Sequence, residues 1–190
     1  MPPPHTAGST GGHRQAWEHL EMPVERCSEC GFDGDDWTDA SALDAIGELP
    51  ERFRTATAGL GQHDAVRRPL PATWSIVEYV DHVREVLFGM RFVLDSALAQ
   101  PGVDLGEAPE PRFDPEPRAI DLDAALDGLE REAMSLGSRL REVPEHAWHH
   151  KVRVGEEELD ARWICRHAVH DATHHLMDVE RLRAALLGHR

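Results

Sequence analysis

The chain is poor in basic charge. Its 20 Lys and Arg stand against 35 Asp and Glu, for a formal net charge of −15. A duplex-binding or anionic-membrane surface needs clustered cations, so neither nucleic acid nor a membrane is expected as a partner. Long apolar runs are missing as well. With no stretch of about 18 apolar residues, nothing is expected to span a bilayer. The opening residues MPPPHTAGSTGGHRQAW lack the apolar core of a signal peptide, which makes the cytoplasm the expected compartment. Cysteine is scarce, and three residues cannot close a disulfide framework. Lysine is almost absent: Lys151 is the only one, and every other basic side chain is Arg or His. With many Ala, Gly and Asp, that bias points to a GC-rich genome.

What remains is enough for one domain. At 190 residues and 41% hydrophobic content the chain can bury a single core. Residues 1–40 read as a flexible leader carrying a Gly- and Asp-rich CxxC loop, and residues 41–190 as an all-α four-helix bundle. The first helical pattern starts at Ser41, with Leu43, Ile46, Leu49, Phe53 and Leu60 at helical spacing. Pro50 falls within it, where it suits the first residue of a second helical piece. The next helix opens at a capping box, Ser75 and Glu78, and repeats Ile76, Val80, Val83, Leu87, Met90 and Leu94 to about Ala99. Residues 100–120 hold five prolines and form a long connection. A third pattern covers 121–142 and ends at Pro144. A brief extended segment is allowed at 151–154. The fourth helix covers 160–187, and four helices with one long crossover make a bundle.

The chemistry concentrates in HAVHDATHHLMD, residues 167–178. His170 and His174 are four apart, so a helix places them about 40° apart around the axis and roughly 6 Å along it. Both can reach one cation. Two unpaired imidazoles on a core-facing stripe would lose hydration without return. The best third donor is His82, beside the apolar seam of the second helix. Asp178 continues the same face and is a candidate to orient a ligand histidine, with Asp81 and Asp171 as weaker ones. His167 shares the face and would line a pocket. His175 points about 100° from His174 and is expected to leave the site. His5, His13, His19, His146, His149 and His150 read as solvent-exposed.

Cys27 and Cys30, in CSECG, have three readings. They are half of a structural zinc site, with partners such as His13 or His19 in the leader; a redox pair; or two reduced thiols. Cys165 lies in an apolar-periodic segment.

The segments RRPLPATWSIVEYVDHV (67–83) and WICRHAVHDATHHLMDV (163–179) resemble the DinB-like, or YfiT-like, metalloenzyme family. That family includes the metal-binding domain of mycothiol-dependent maleylpyruvate isomerase and the bacillithiol and mycothiol S-transferases. The resemblance spans roughly 41–187. It implies a four-helix bundle with a divalent metal, zinc or nickel, on His82, His170 and His174. It implies an open coordination position that activates water or a low-molecular-weight thiol. Transfer of a mycothiol-type thiol to an electrophilic small molecule is the expected reaction, with the thiol as co-substrate and no catalytic side chain assigned. The isomerase members carry an added C-terminal domain, and this chain ends at Arg190, which argues against that isomerisation. Arg84 and Arg91 are candidate contacts for an acidic substrate. The rival readings are a metal-dependent hydrolase, a non-catalytic metal-binding or stress-response module, and a plain bundle with incidental histidines. Long apolar stripes also allow a homodimer.

Overall fold

In a computed structural model, residues 24–108 and 116–188 are described. The leader histidines His5, His13 and His19 lie outside them. Among the described residues there are four long helices, α1 (Asp39–Thr57), α3 (Ile76–Ala99), α4 (Leu122–Arg141) and α5 (Ala161–Gly188), and one short helical turn, α2 (Gln62–Ala65). The chain is an all-α four-helix bundle.

Local chemistry sets most helix starts. Thr38 and Ser41 form a capping box for α1. Ser75 and Glu78 form the one expected for α3, and the Asp121 side chain caps α4 by accepting from the amide of Ala124. At α5 the Asp160 carboxylate accepts from the Trp163 amide at 2.9 Å. Pro50 does not divide α1. The helix runs through it, because Ile46, Leu49 and Phe53 on either side are fully buried. Burial of such side chains, at about 1.5–3 kcal/mol each, offsets the roughly 3 kcal/mol that an interior proline costs.

The bundle is not wired as a simple meander. α1 packs against α4 and α5, and α3 packs against the same two helices. α1 and α3 are therefore diagonal, as are α4 and α5. The crossovers are the connections at 58–75 and 142–160, and the proline-rich connection joins the adjacent helices α3 and α4. Its first part is pinned by backbone hydrogen bonds: Leu105 N–H donates to Arg153 O at 2.9 Å, and Arg153 N–H donates to Val103 O at 2.9 Å. The extended segment is a two-stranded hairpin, β1 (Val152–Val154) antiparallel to β2 (Glu157–Leu159), turning at Gly155 with φ +60°. Only its first strand is apparent from the sequence, since Glu157 and Glu158 carry no apolar alternation.

Residues 24–37 depart from the reading of a flexible leader. The CxxC loop is a compact turn: Cys27 N–H donates to Phe32 O, and Gly31 N–H to Cys27 O, each at 2.9 Å. Gly31 sits at φ +74°, a conformation glycine adopts without a Cβ clash. Phe32 is only 6% exposed. Its burial is one of the contacts that hold this segment against the bundle.

Candidate metal centres on the last helix

α5 carries its core along Ile164, Ala168, Ala172 and Val179, all fully buried. At about 100° per residue, His170 lies roughly 160° from Ala172, on the side of the helix turned away from the core. The stripe of Trp163, His167, His170, His174 and Met177 is therefore not core-facing, which corrects the sequence reading. These residues are half-buried, and the CxxC segment lies against the three histidines among them. Phe32 stacks on His170 with ring centroids 4.6 Å apart and planes 14° apart, and Trp37 stacks on Phe32 at 6.0 Å.

The next face around α5, Asp171 and His175, turns toward α3 and meets His82. His175 Nε2 is 3.7 Å from Asp171 Oδ1, and His82 Nε2 is 3.8 Å from the same oxygen. The rings of His82 and His175 are 4.8 Å apart and nearly perpendicular. Trp74 and Tyr79 wall the group: Trp74 is 4.8 Å from His82, and Tyr79 is 5.2 Å from His175.

Among the described residues, three sets of ligand atoms lie within 4.8 Å of one another: His82, Asp171 and His175; Cys27, Cys30, His170 and His174; and Glu25, His167 and His170. Spacing and family resemblance predict His82 together with His170 and His174. The structure keeps the two α5 histidines together but pairs them with the cysteines, and it gives His82 to Asp171 and His175. The physical reason is the 100° step between consecutive residues. His174 and His175 cannot face one neighbour, and the neighbour on the α3 side is His82. His175, expected to leave the site, faces it, and Asp171 is a candidate ligand. The signal was present in the same twelve residues, where Asp171 and His175 form a second i, i+4 pair one position on.

Charge and burial act together here. Burial pushes the Asp171 carboxyl up, but His82 and His175 outweigh it and hold the group below the usual range. Burial pulls His175 down, against the pull of Asp171, which favours the neutral imidazole that a metal binds. Asp178 Oδ2 lies 3.2 Å from His175 Nδ1 and 3.9 Å from His174 Nε2, so one carboxylate stands behind both groups. His167 Nδ1 is 2.8 Å from Glu25 Oε1. In the other group, the Cys30 amide, His170, the Glu29 amide and His174 bring the Cys27 thiol down to about 6, while burial pushes Cys30 up. All three cysteines are free thiols.

Other candidates have structural employment. Arg84 Nε donates to Asp81 Oδ1 at 2.6 Å. Arg118 reaches the same Asp81 at 3.0 Å, so Asp81 orients arginines rather than a ligand histidine. Arg91 lies near Glu132 and Asp95. A cavity of about 590 Å³ is lined by Gln62, Val66 and residues 117–121 and includes none of the ligand candidates. No helix of the described residues is long and apolar enough to cross a membrane.

A sequence model of the DinB superfamily matches residues 45–179. Among solved structures, the chain is similar to YfiT from Bacillus subtilis, described as a probable metal-dependent hydrolase with an unusual four-helix bundle topology. The identity is 13%, the TM-score is 0.67, and the likeness covers 88% of this chain and 94% of that one. No curated protein matches the sequence.

Proposed function

The chain belongs to the DinB superfamily, and from that premise we propose that it is a metal-dependent enzyme whose divalent ion sits on His82, Asp171 and His175. One observation carries the assignment. Asp171 Oδ2 is buried without a hydrogen-bond partner, and Asp171 Oδ1 stands 3.7 and 3.8 Å from two imidazole nitrogens. Those gaps are too long for hydrogen bonds. They are near the edge, about 3.4 Å, of a tetrahedron with ligands at about 2.1 Å. The histidines already favour the charged carboxylate, but Oδ2 has no partner among the described residues, and a cation between the three donors would satisfy the group directly.

Two histidines and one carboxylate leave a coordination position open, the pattern of catalytic rather than structural sites. Imidazole and carboxylate donors suit zinc or nickel. The ion would supply Lewis acidity and lower the pKa of a water or thiol in the open position. Asp178 orients His175 through Nδ1, fixing which nitrogen faces the ion. Trp74 and Tyr79 provide an apolar wall that orients a small substrate and limits access of water.

The reaction we assign is transfer of a low-molecular-weight thiol, of mycothiol type, to an electrophilic small molecule. A carbon–sulfur bond forms, and the leaving group departs with the thiol proton. The resemblance of the 67–83 and 163–179 segments to the DinB-like family, which includes thiol S-transferases, supports it. The description of YfiT as a probable hydrolase favours a second reading, in which water takes the thiol's place.

The test is conjugate formation from mycothiol and a haloalkyl electrophile by the zinc-loaded chain, followed by mass spectrometry, beside ester hydrolysis without thiol. Conjugation that falls by about 10²-fold or more in folded His82→Ala and His175→Ala supports the reading. Metal-dependent hydrolysis without thiol use would move the nucleophile to water. Turnover unchanged in both variants would overturn the site.

A further inference from the structure

The second group on α5 has a different donor set and a different position. We infer that Cys27, Cys30, His170 and His174 form a tetrahedral zinc site, separate from the His82 group, that fastens residues 24–37 to the outer face of α5.

The geometry fits zinc. A tetrahedron with zinc–sulfur bonds of about 2.3 Å and zinc–nitrogen bonds of about 2.05 Å has a sulfur–nitrogen edge of about 3.6 Å. Cys27 Sγ and His174 Nδ1 are 3.6 Å apart, and all four donor atoms lie within 4.8 Å of one another. Two thiolates and two imidazoles complete a four-coordinate shell and leave no open position, as structural zinc sites require. Cys-x-x-C followed by glycine supplies one half. The Gly31 turn at φ +74° brings the Phe32 carbonyl back to the Cys27 amide and closes the loop. His-x-x-x-His on α5 supplies the other.

The surroundings are those of ligand histidines. A metal-bound imidazole places its second nitrogen against a carboxylate or carbonyl. His170 Nδ1 and Glu25 Oε2 are both buried without a hydrogen-bond partner and stand 3.6 Å apart. His174 turns Nδ1 to Cys27 and Nε2 toward Glu29 at 3.8 Å and Asp178 at 3.9 Å. The overlapping set of Glu25, His167 and His170 needs no ion of its own. His167 and Glu25 already meet at hydrogen-bond distance, 2.8 Å, so Glu25 is the outer partner of His170. A simple redox pair would give no role to two histidines held beside the thiols.

His170 and His174 serve the zinc site, while Asp171 and His175, each one residue on, serve the other group. The zinc therefore pins the α5 turn that presents Asp171 and His175 to His82.

Cobalt substitution of the full chain tests this independently of any activity. After chelation and reduction, Co²⁺ added to the wild type should give intense tetrahedral bands and a thiolate-to-cobalt charge-transfer band. That band should persist in a His82→Ala/His175→Ala variant and vanish in Cys27→Ser/Cys30→Ser. His170→Ala/His174→Ala, checked by circular dichroism for retained helix, should bind cobalt at the thiolates at least about tenfold more weakly. A wild-type chain with all thiols titrated as reduced and no charge-transfer band overturns the site. So does a band lost with the His82 and His175 substitutions, since the thiolates would then belong to the other centre.

Discussion

His174 and His175 are consecutive in the chain, yet their rings, 5.4 Å apart and 84° from parallel, belong to different ligand groups. One faces Cys27 across 147 residues of sequence. The other faces His82 on α3. A single turn of α5 thus serves two neighbours, one inside the bundle and one laid over its outer face. Substitutions at adjacent positions should have separable effects.

Asp178 is the exception, because its carboxylate stands behind both histidines. Asp178→Asn should weaken metal binding at the His82 group by about 10–100-fold. The effect at His174 should be smaller, since Glu29 offers a second carboxylate there. Competition against chelators of graded affinity reads both.

Phe32 links the CxxC turn to α5 by stacking on His170. Phe32→Ala should cost about 3 kcal/mol in unfolding free energy, measured by denaturant titration. Cys27 should also react faster with alkylating reagents in the metal-free variant, because its cover over α5 is loosened. An unchanged midpoint would mean that the segment contributes nothing to the fold.

Glu78 accepts from Ser75 at the start of α3 and from Arg68, with both charged side chains buried. Burial alone would push its carboxyl up, but Arg68 and Ser75 bring it down to about 2 from 4.5. A folded-state value below the unfolded one means that the contribution is complete above pH 4.5 and is lost as pH falls through about 2. Glu78→Gln should therefore lower stability by about 3 kcal/mol at neutral pH. The difference from wild type should narrow steadily below pH 4.5. Denaturant midpoints across that range check the sign.

Cys165 is fully buried, and burial pushes its thiol up to about 12. In the native, metal-free chain it should resist iodoacetamide while Cys27 is modified, with peptide mass spectrometry reading both. Zinc should protect Cys27 and leave Cys165 unchanged.

Much of the bundle was legible in local chemistry. Ser75 with Glu78 marked the start of α3, and Gln100 with Pro101 its end. The apolar spacing over 121–142 and Pro144 bounded α4. The diagonal wiring was not legible, because it depends on which apolar faces meet, not on any one segment. Pro50 misled for a related reason: packing by Ile46 and Phe53 outweighs a local preference. In the site, residue spacing showed that His170 and His174 share a face and that His175 does not. It could not show what covers each face. The segment that covers His170 lies near the other end of the chain, and its low apolar content reads as a loop until Phe32 is seen against α5.

The central claim is that His82, Asp171 and His175 hold one metal while His170 and His174 hold another. Elemental mass spectrometry of untagged, zinc-equilibrated protein tests it most directly, comparing wild type with His175→Ala and His174→Ala. The wild type should carry one metal for each group. His175→Ala should lose one and keep the metal that a thiol-blocking reagent releases. His174→Ala should lose or weaken the thiol-bound metal and keep the other. If His174→Ala and His82→Ala remove the same ion while His175→Ala removes none, the division of α5 into two metal-binding faces is wrong.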